Sequence, residues 1–308
     1  MSIRRSQFRV LMTVLAVITL GSCSKDISLS LRLRKGETYR TRMTTDRNIS
    51  QTIRGQRQDI EQTVGMAYTV VVEGVDADRV ASVKATCDWV SFEQDWPVGK
   101  VEYDSSNPPA AVHPLAMGYA TLKGQSLSMR VAPDGHVEEI RAADAVRERM
   151  ANRLDLPPGA MGDALKKSLR DQFGDGALKE MMGRMTAVLP DKTVTIGDSW
   201  TRTVTVHTQA RVIVDSTWTL DSRRRGVAVI SVSSTVKSDP EAAPIEMGPR
   251  KLSYELSGTQ EGTLELNQAT GWIIRGKLTE QLSGKVSLGD MYGPISIQTV
   301  TTLEPVEG

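Results

Sequence analysis

The chain is poor in the residue types from which most catalytic and metal sites are built. It has 2 cysteines and 3 histidines among 308 residues, and aromatic residues make up 5% of it. His113, His136 and His207 are widely separated, and none has another metal-type ligand at the close spacing that a helical or hairpin metal site requires. The sequence contains no glycine-rich phosphate loop and no dinucleotide fingerprint. We therefore expect no metal, no cofactor and no enzymatic activity.

An excess of charge of one sign is also absent. Lysine and arginine together (38) nearly balance aspartate and glutamate (37), which leaves a formal net charge of +1. No basic stripe is visible along the chain. Nucleic-acid-binding proteins carry such a stripe because the phosphate backbone must be neutralised, so we do not expect a nucleic acid as partner.

The N-terminus has the pattern of an export signal. Arg4, Arg5 and Arg9 precede an uncharged stretch over residues 10–20, which is shorter than the ~20 apolar residues that cross a bilayer. This order is typical of a secretory signal peptide. The ending Leu20-Gly21-Ser22-Cys23 resembles the lipobox of bacterial lipoproteins, in which the cysteine is diacylated and the preceding peptide is removed. We predict a signal peptide at 1–22 and a lipid anchor with its tether at 23–30; an ordinary cleaved signal with a chance cysteine is the alternative.

Lipidation of Cys23 would hold the protein on a membrane of the cell envelope, because two or more acyl chains give stable attachment. By the same resemblance, Ser24 indicates the outer membrane, at its periplasmic or surface face. Lipid on Cys23 leaves Cys87 without a disulfide partner. Cys87 lies in an apolar, strand-like run and is expected to pack as a small hydrophobic residue.

Alternation of apolar and polar residues dominates most of the remaining chain. It is clearest over residues 204–220, where the even positions are mainly apolar, and it recurs at 66–72, 127–131, 254–266, 272–282 and 295–303. Turn signals at Gly135, Gly226 and Gly271 separate the runs. Alternation of apolar and polar residues with a period of two gives a sheet one buried face and one solvent-exposed face, which is typical of antiparallel sheets. The sequence therefore predicts an α+β fold that is mostly curved antiparallel sheet.

A segment without alternation divides the chain. Spacing by four in Met161, Leu165, Leu169 and Phe173 is typical of a helix face, and similar signals flank it. We predict a helical insert at 141–190 between an N-terminal β half (31–140) and a C-terminal β half (191–308). Its apolar side chains either pack onto the sheet or cover an apolar cleft; the candidate cleft residues are Leu165, Leu169, Phe173, Met181, Met182 and Met185.

The two β halves share landmarks in the same order. Lys35-Gly36-Glu37-Thr38-Tyr39 in the first half matches Ile196-Gly197-Asp198-Ser199-Trp200 in the second, and later hairpins turn at Gly135 and Gly271. This favours an internal duplication. Gly197-Asp198-Ser199-Trp200 is also similar to the G-D-S-L block of a hydrolase family, which implies a nucleophilic role for Ser199. No downstream D-x-x-H block accompanies it, so we interpret the motif as a strand-entry turn.

The order of motifs along the chain resembles an uncharacterised bacterial lipoprotein family that is known only as a domain of unknown function. The motifs are the lipobox, the 35–39 motif, Tyr103-Asp104-Ser105, the helical middle, the 197–200 motif and the hairpin at Gly271. That family implies no activity. The expected architecture is also similar to that of the Lol-type lipoprotein carriers, which hold acyl chains in a cleft. We therefore expect a non-enzymatic, membrane-anchored envelope lipoprotein that binds an apolar ligand or a protein partner. The alternatives are a serine hydrolase that uses Ser199 and a structural or assembly component without a pocket.

Overall fold

The computed structural model describes residues 26–53, 55–97, 99–141, 189–207, 211–247 and 250–306, together with positions 148 and 159. Within these ranges the elements are β1 (Thr38–Ile53), β2 (Gln56–Val75), β3 (Ala81–Trp96), β4 (Gly99–Asp104), α1 (Pro114–Ala120), β5 (Ser126–Val131), β6 (Val137–Arg141), β7 (Ser199–His207), β8 (Arg211–Arg224), β9 (Val227–Ser238), β10 (Ile245–Met247), β11 (Arg250–Asn267), β12 (Ile273–Leu288) and β13 (Met291–Pro305). No helix of the described part is long and apolar enough to span a membrane.

The strands form one antiparallel sheet. Their order is β6-β5-β3-β2-β1-β13-β12-β11-β9-β8-β7, with β4 beside β3 and β10 beside β11. Each half of the chain is an up-and-down run, and the pairing of β13 with β1 joins the two runs. The strands at the two ends of the order, β6 and β7, are separated in the chain by residues 142–198. The mostly antiparallel sheet that the sequence predicts is therefore confirmed.

One face of the sheet carries the hydrophobic core. On β8, the even residues from Val212 to Leu220 are buried, as the alternation of the sequence predicts. Residues of β2, β3 and β5 belong to the same buried cluster as residues of β8, β9 and β11, although these strands lie near opposite ends of the order. Such contacts require the sheet to curve around this face, which we call the concave face.

A segment before β1 fills the lower end of the concave face, defined as the end where β1 begins. Leu29, Leu31 and Leu33 are buried in the core. The Leu31 and Arg32 amides donate hydrogen bonds to carbonyl oxygens of the two hairpin loops at this end, Pro133 (2.6 Å) and Thr270 (2.9 Å). Ile27 also forms a β-bridge with Val194. Residues 27–30, which the sequence analysis places in the tether, thus contact the folded body.

The two Gly-acid motifs form the same turn. Gly36 and Gly197 have φ of 89° and 94°, a left-handed conformation that glycine adopts without steric cost. The acids that follow them, Glu37 and Asp198, each accept a hydrogen bond from the backbone amide three residues earlier, at 2.9 and 2.8 Å. Each turn also exchanges two backbone hydrogen bonds with a neighbouring strand. The interpretation of the second motif as a strand-entry turn is confirmed.

The helical predictions have a different outcome. The insert at 141–190, with Leu165, Leu169, Phe173, Met181, Met182 and Met185, falls almost entirely outside the described residues. The short helix α1 lies outside this insert, and no pattern in the sequence predicts it. It begins at Pro114 after His113, whose ring nitrogen caps the Leu115 amide. Seven residues are too few to show helical periodicity in a sequence.

Candidate functional site

The upper end of the concave face, where β1 ends, carries an apolar surface that we call the upper cluster. It contains the buried residues Val206, Val212, Val214, Val236, Leu256, Leu282, Val286 and Ile295, with Ile49, Leu252, Tyr254 and Ile297 packed against them. These side chains come from seven neighbouring strands, β7 to β9, β11 to β13 and β1. The upper cluster therefore extends across more than half of the sheet.

Glycines at inward positions of this region bring neighbouring strands unusually close. A Cβ atom on Gly258 or Gly284 would overlap a backbone carbonyl oxygen of the neighbouring strand, that of Gln281 or Glu255, which is next to the residue that faces the glycine. A Cβ atom on Gly293 would likewise overlap the Thr52 carbonyl oxygen. Glycine within strands often marks a bend or a close backbone approach. These positions therefore allow the sheet to curve and leave the concave face without side chains there.

A row of polar residues crosses the concave face between the upper cluster and the core at the lower end. We call it the polar belt; in strand order it consists of Arg202, Ser216, Ser234, Gln260, Glu280, Thr299, Arg47, Gln62 and Gln94, each opposite the next in the sheet register. Because opposite residues share a face, the belt lies on the concave side along its whole length.

Parts of the polar belt satisfy their own hydrogen bonds. The Ser234 hydroxyl donates to the Ser216 hydroxyl at 2.9 Å, and the Gln62 amide donates to the Gln94 carbonyl at 2.8 Å. The Arg202 guanidinium reaches the Leu189 carbonyl at 3.4 Å. On each flank of the belt, two neighbouring residues therefore form a hydrogen bond with each other.

Two buried polar atoms on the concave face lack a partner among the described residues. They are the Thr299 hydroxyl, at the centre of the belt, and the indole nitrogen of Trp218 on β8, two residues beyond the belt residue Ser216 towards the lower end. These side chains are 7% and 9% exposed. An unsatisfied buried polar group costs ~1–3 kcal/mol, so such groups are rare and often mark a site.

The predicted nucleophile has a different environment. Ser199 begins β7, is exposed, and shares a hydrogen bond of 2.8 Å with the Thr219 hydroxyl on β8. The Asp198 carboxylate is held by the Thr195 amide and hydroxyl, and its pKa is lowered mainly by the amide hydrogen bond. Among the described contacts of this motif, none involves a histidine. Its polar groups serve the turn and the β7–β8 pairing.

The other chemistry-bearing residues also have local roles. Cys87 is a buried free thiol whose sulfur lies 3.6 Å from the Trp89 carbonyl, and burial raises the pKa of the thiol to about 12. This confirms its packing as a small hydrophobic residue. The His136 ring contacts Asp134 at 2.6 Å within an exposed hairpin loop. The part of the chain that the structure describes contains no group of three potential metal ligands.

Sequence reasoning missed the polar belt. Its members are polar residues inside otherwise alternating strands, and each taken alone indicates only an interruption of the apolar face. Cys23 and the six candidate cleft residues of the predicted insert lie outside the described residues, so the concave face provides the candidate site.

Comparisons with known proteins add little about function. No curated protein matches the chain. A lipovitellin structure described by its lipid–protein interactions is similar with a TM-score of 0.49 and 9% sequence identity; the match covers 90% of this chain and 26% of that chain. The chain therefore spans about a quarter of the length of that structure. The model of a family of unknown function, DUF6263, matches residues 78–273, which is more than half of the chain. The chain belongs to this family of unknown function, DUF6263.

Proposed function

We propose that the chain is a non-enzymatic, membrane-anchored envelope lipoprotein that binds a lipid-like apolar ligand on its concave face. The observation that carries the proposal is the upper cluster, which presents apolar side chains from seven neighbouring strands on one side of a curved sheet. Ligand sites are typically concave and mostly apolar with a few polar groups, which describes the upper cluster and the polar belt beside it.

Among the described residues, the two ends of the concave face differ in which segments pack against the sheet. Leu29, Leu31 and Leu33 pack against the sheet at the lower end, together with Leu189 and Val194. The upper cluster contains residues of the sheet alone among the described part of the chain. An acyl chain placed there would gain ~0.8 kcal/mol for each methylene that it removes from water. The upper end is therefore the better location for a ligand.

The position of the predicted anchor fits this arrangement. Ile27 lies only four residues after Cys23 and forms its β-bridge at the lower end of the sheet. Four extended residues span at most ~14 Å, so a lipid on Cys23 would hold the lower end near the membrane and the upper cluster away from it. Replacement of Cys23 with serine should abolish acylation and membrane fractionation; a processed, acylated Cys23→Ser protein would contradict the anchor.

We also propose that the two β halves arose by internal duplication. The equivalent turns at Gly36 and Gly197 support this, as do the hairpin loops near Gly135 and Gly271, which each accept one hydrogen bond from the segment before β1. A duplicated pair of half-sheets would account for the joining of two up-and-down runs into one sheet.

Thermal unfolding with a lipid panel tests the ligand proposal. A ligand that binds only the native state at 100 times its Kd stabilises it by ~2.7 kcal/mol, which raises the melting temperature. Val236→Thr, which places a hydroxyl on the buried concave face of β9, should reduce this increase. Thr235→Val, on the exposed opposite face, is the matched control and should leave it unchanged. Wild-type melting that no lipid changes would contradict the ligand proposal and favour the protein-partner alternative.

A further inference from the structure

The centre of the polar belt brings together four side chains from distant parts of the chain. Gln260 on β11 lies opposite Glu280 on β12, Glu280 lies opposite Thr299 on β13, and Thr299 lies opposite Arg47 on β1. Opposite residues of antiparallel strands have Cβ atoms ~5 Å apart, so the four form a continuous row on the concave face. We call this row the central quartet.

One member of the central quartet, Thr299, differs from the flanks of the belt in its hydrogen bonding. The flanking residues form the Ser216–Ser234 and Gln62–Gln94 pairs. In the quartet, the Thr299 hydroxyl is buried to 7% exposure and has no partner among the described residues. A hydroxyl can both donate and accept, so an unpartnered one in this position is available to a polar group that lies across the row.

Arg47 faces the same side of the sheet. It lies opposite Thr299 on β13 and opposite Gln62 on β2, and both of these neighbours belong to the polar belt. A guanidinium has five N–H donors and no acceptor. Arg47 therefore adds donors to the row that contains the Thr299 hydroxyl.

A second unpartnered donor lies one row below the belt. The Trp218 indole nitrogen is buried without a partner, and an indole N–H can only donate. Its row continues through Val232 to Gly262, which has no side chain on the concave face. This donor, which requires an acceptor oxygen, therefore lies on β8, two strands away from Gln260 of the central quartet.

Charge distinguishes between polar groups that such a row could hold. Arg47 and Glu280 carry opposite charges, so the central quartet is formally neutral. A free carboxylate would meet Glu280 at close range, and a cationic group would meet Arg47. An uncharged group with hydroxyls and an ester carbonyl can instead donate to Glu280 and accept from Arg47, Thr299 and the glutamine amide.

We propose that the central quartet binds the uncharged, hydroxyl- and ester-bearing polar group of an acylglycerol, with the acyl chain lying over the upper cluster. The apolar row directly above the belt supplies the start of that path, through Ile297, Leu282 and Gly258. This inference rests on the proposed function for the acyl chain, and it adds the recognition of the polar group.

Three ligands of equal chain length test the inference on the purified full chain. They are monooleoylglycerol, oleate at pH 8 and octadecene, and the measurement is the Kd of each by titration. We expect monooleoylglycerol to bind at least tenfold more tightly than octadecene, since one or two well-placed hydrogen bonds correspond to about that factor. Oleate should bind less tightly than monooleoylglycerol because its carboxylate meets Glu280.

Matched variants assign the effect to the quartet. Thr299→Val preserves shape and removes the unpartnered hydroxyl, so the folded state should keep its stability. It should weaken monooleoylglycerol binding about threefold to tenfold and leave octadecene binding unchanged. Arg47→Met should likewise weaken monooleoylglycerol binding and leave octadecene binding unchanged. Thr302→Val, three residues further along β13 on the opposite face, is the control and should change neither Kd.

Each outcome has one interpretation. Equal binding of the three ligands to the wild type, or unchanged monooleoylglycerol binding in both Thr299→Val and Arg47→Met, would overturn the quartet's role while the proposed function stands. Binding of none of the three ligands would overturn both. Tighter binding of oleate than of monooleoylglycerol would show that the polar group is recognised as an anion, which contradicts the inference.

Discussion

The segment before β1 provides a quantitative test of the fold. Leu31 is 3% exposed, and its amide donates a 2.6 Å hydrogen bond to Pro133. Leu31→Ala keeps this hydrogen bond but removes buried methyl groups, which typically costs ~2–5 kcal/mol. Domains are stable by ~5–15 kcal/mol, so one substitution should remove a large part of the stability. At ~2–4 °C per kcal/mol, the melting temperature should fall by ~4–20 °C.

Urea unfolding measures this loss directly, with tryptophan fluorescence as the signal. Trp272 is a suitable reporter because it stacks on Tyr39 at 4.4 Å, close to the segment. Leu115→Ala is the matched control, since Leu115 is 47% exposed and its removal should change the free energy of unfolding by less than ~0.5 kcal/mol. If Leu31→Ala cost no more than Leu115→Ala, the segment would not be part of the core and the reasoning would be refuted.

Three further predictions concern single positions. The pKa of Glu37 is lowered mainly by the Tyr39 hydroxyl and that of Asp198 mainly by the Thr195 amide. The first turn should therefore lose stability as pH falls below about 4.5, and the second as pH falls below about 3.8. Glu37→Gln and Asp198→Asn should flatten the acid side of a stability–pH profile, and an unchanged profile would contradict this. Cys87 should resist maleimide labelling at pH 7.5 until urea unfolds the chain, because its thiol is buried and its pKa is raised to about 12; rapid labelling of the folded Cys23→Ser protein would show otherwise. Gly258→Ala should lower the urea midpoint strongly, since its Cβ would overlap a neighbouring backbone carbonyl, whereas Gly74→Ala, with open space, should have a small effect.

Local patterns in the sequence predict much of the fold. The alternation from Val204 to Leu220 predicts the β7–β8 hairpin because a period of two needs no knowledge of distant residues. The turns at Gly36 and Gly197 are predictable for the same reason, since a glycine with positive φ and an acid that caps a nearby amide lie within four residues. The short helix α1 has no such signal.

The polar belt depends on long-range register and could not be predicted. Thr45 and Thr301 share a hydrogen bond although they are 256 residues apart, and the β1–β13 pairing that joins them also sets Arg47 opposite Thr299. β-Bulges such as the one between Ala67 and Tyr68 change which residues face inward, and no local pattern marks them. A shift of one residue would move the whole row to the other face.

Quenching by a brominated lipid tests the central claim, that the concave face binds an acyl chain. Trp218 is buried on that face. Trp89 lies on the opposite face, where Arg42 stacks over its ring at 4.7 Å and Asp104 accepts its N–H. A monoacylglycerol that is brominated close to its ester, at the part of the acyl chain next to the polar belt, should quench the wild-type emission at saturation, because Trp218 lies on the row adjacent to the belt. The quenched fraction should fall in Trp218→Phe but not in Trp89→Phe. Equal quenching in the two variants, or none in the wild type, would contradict the account.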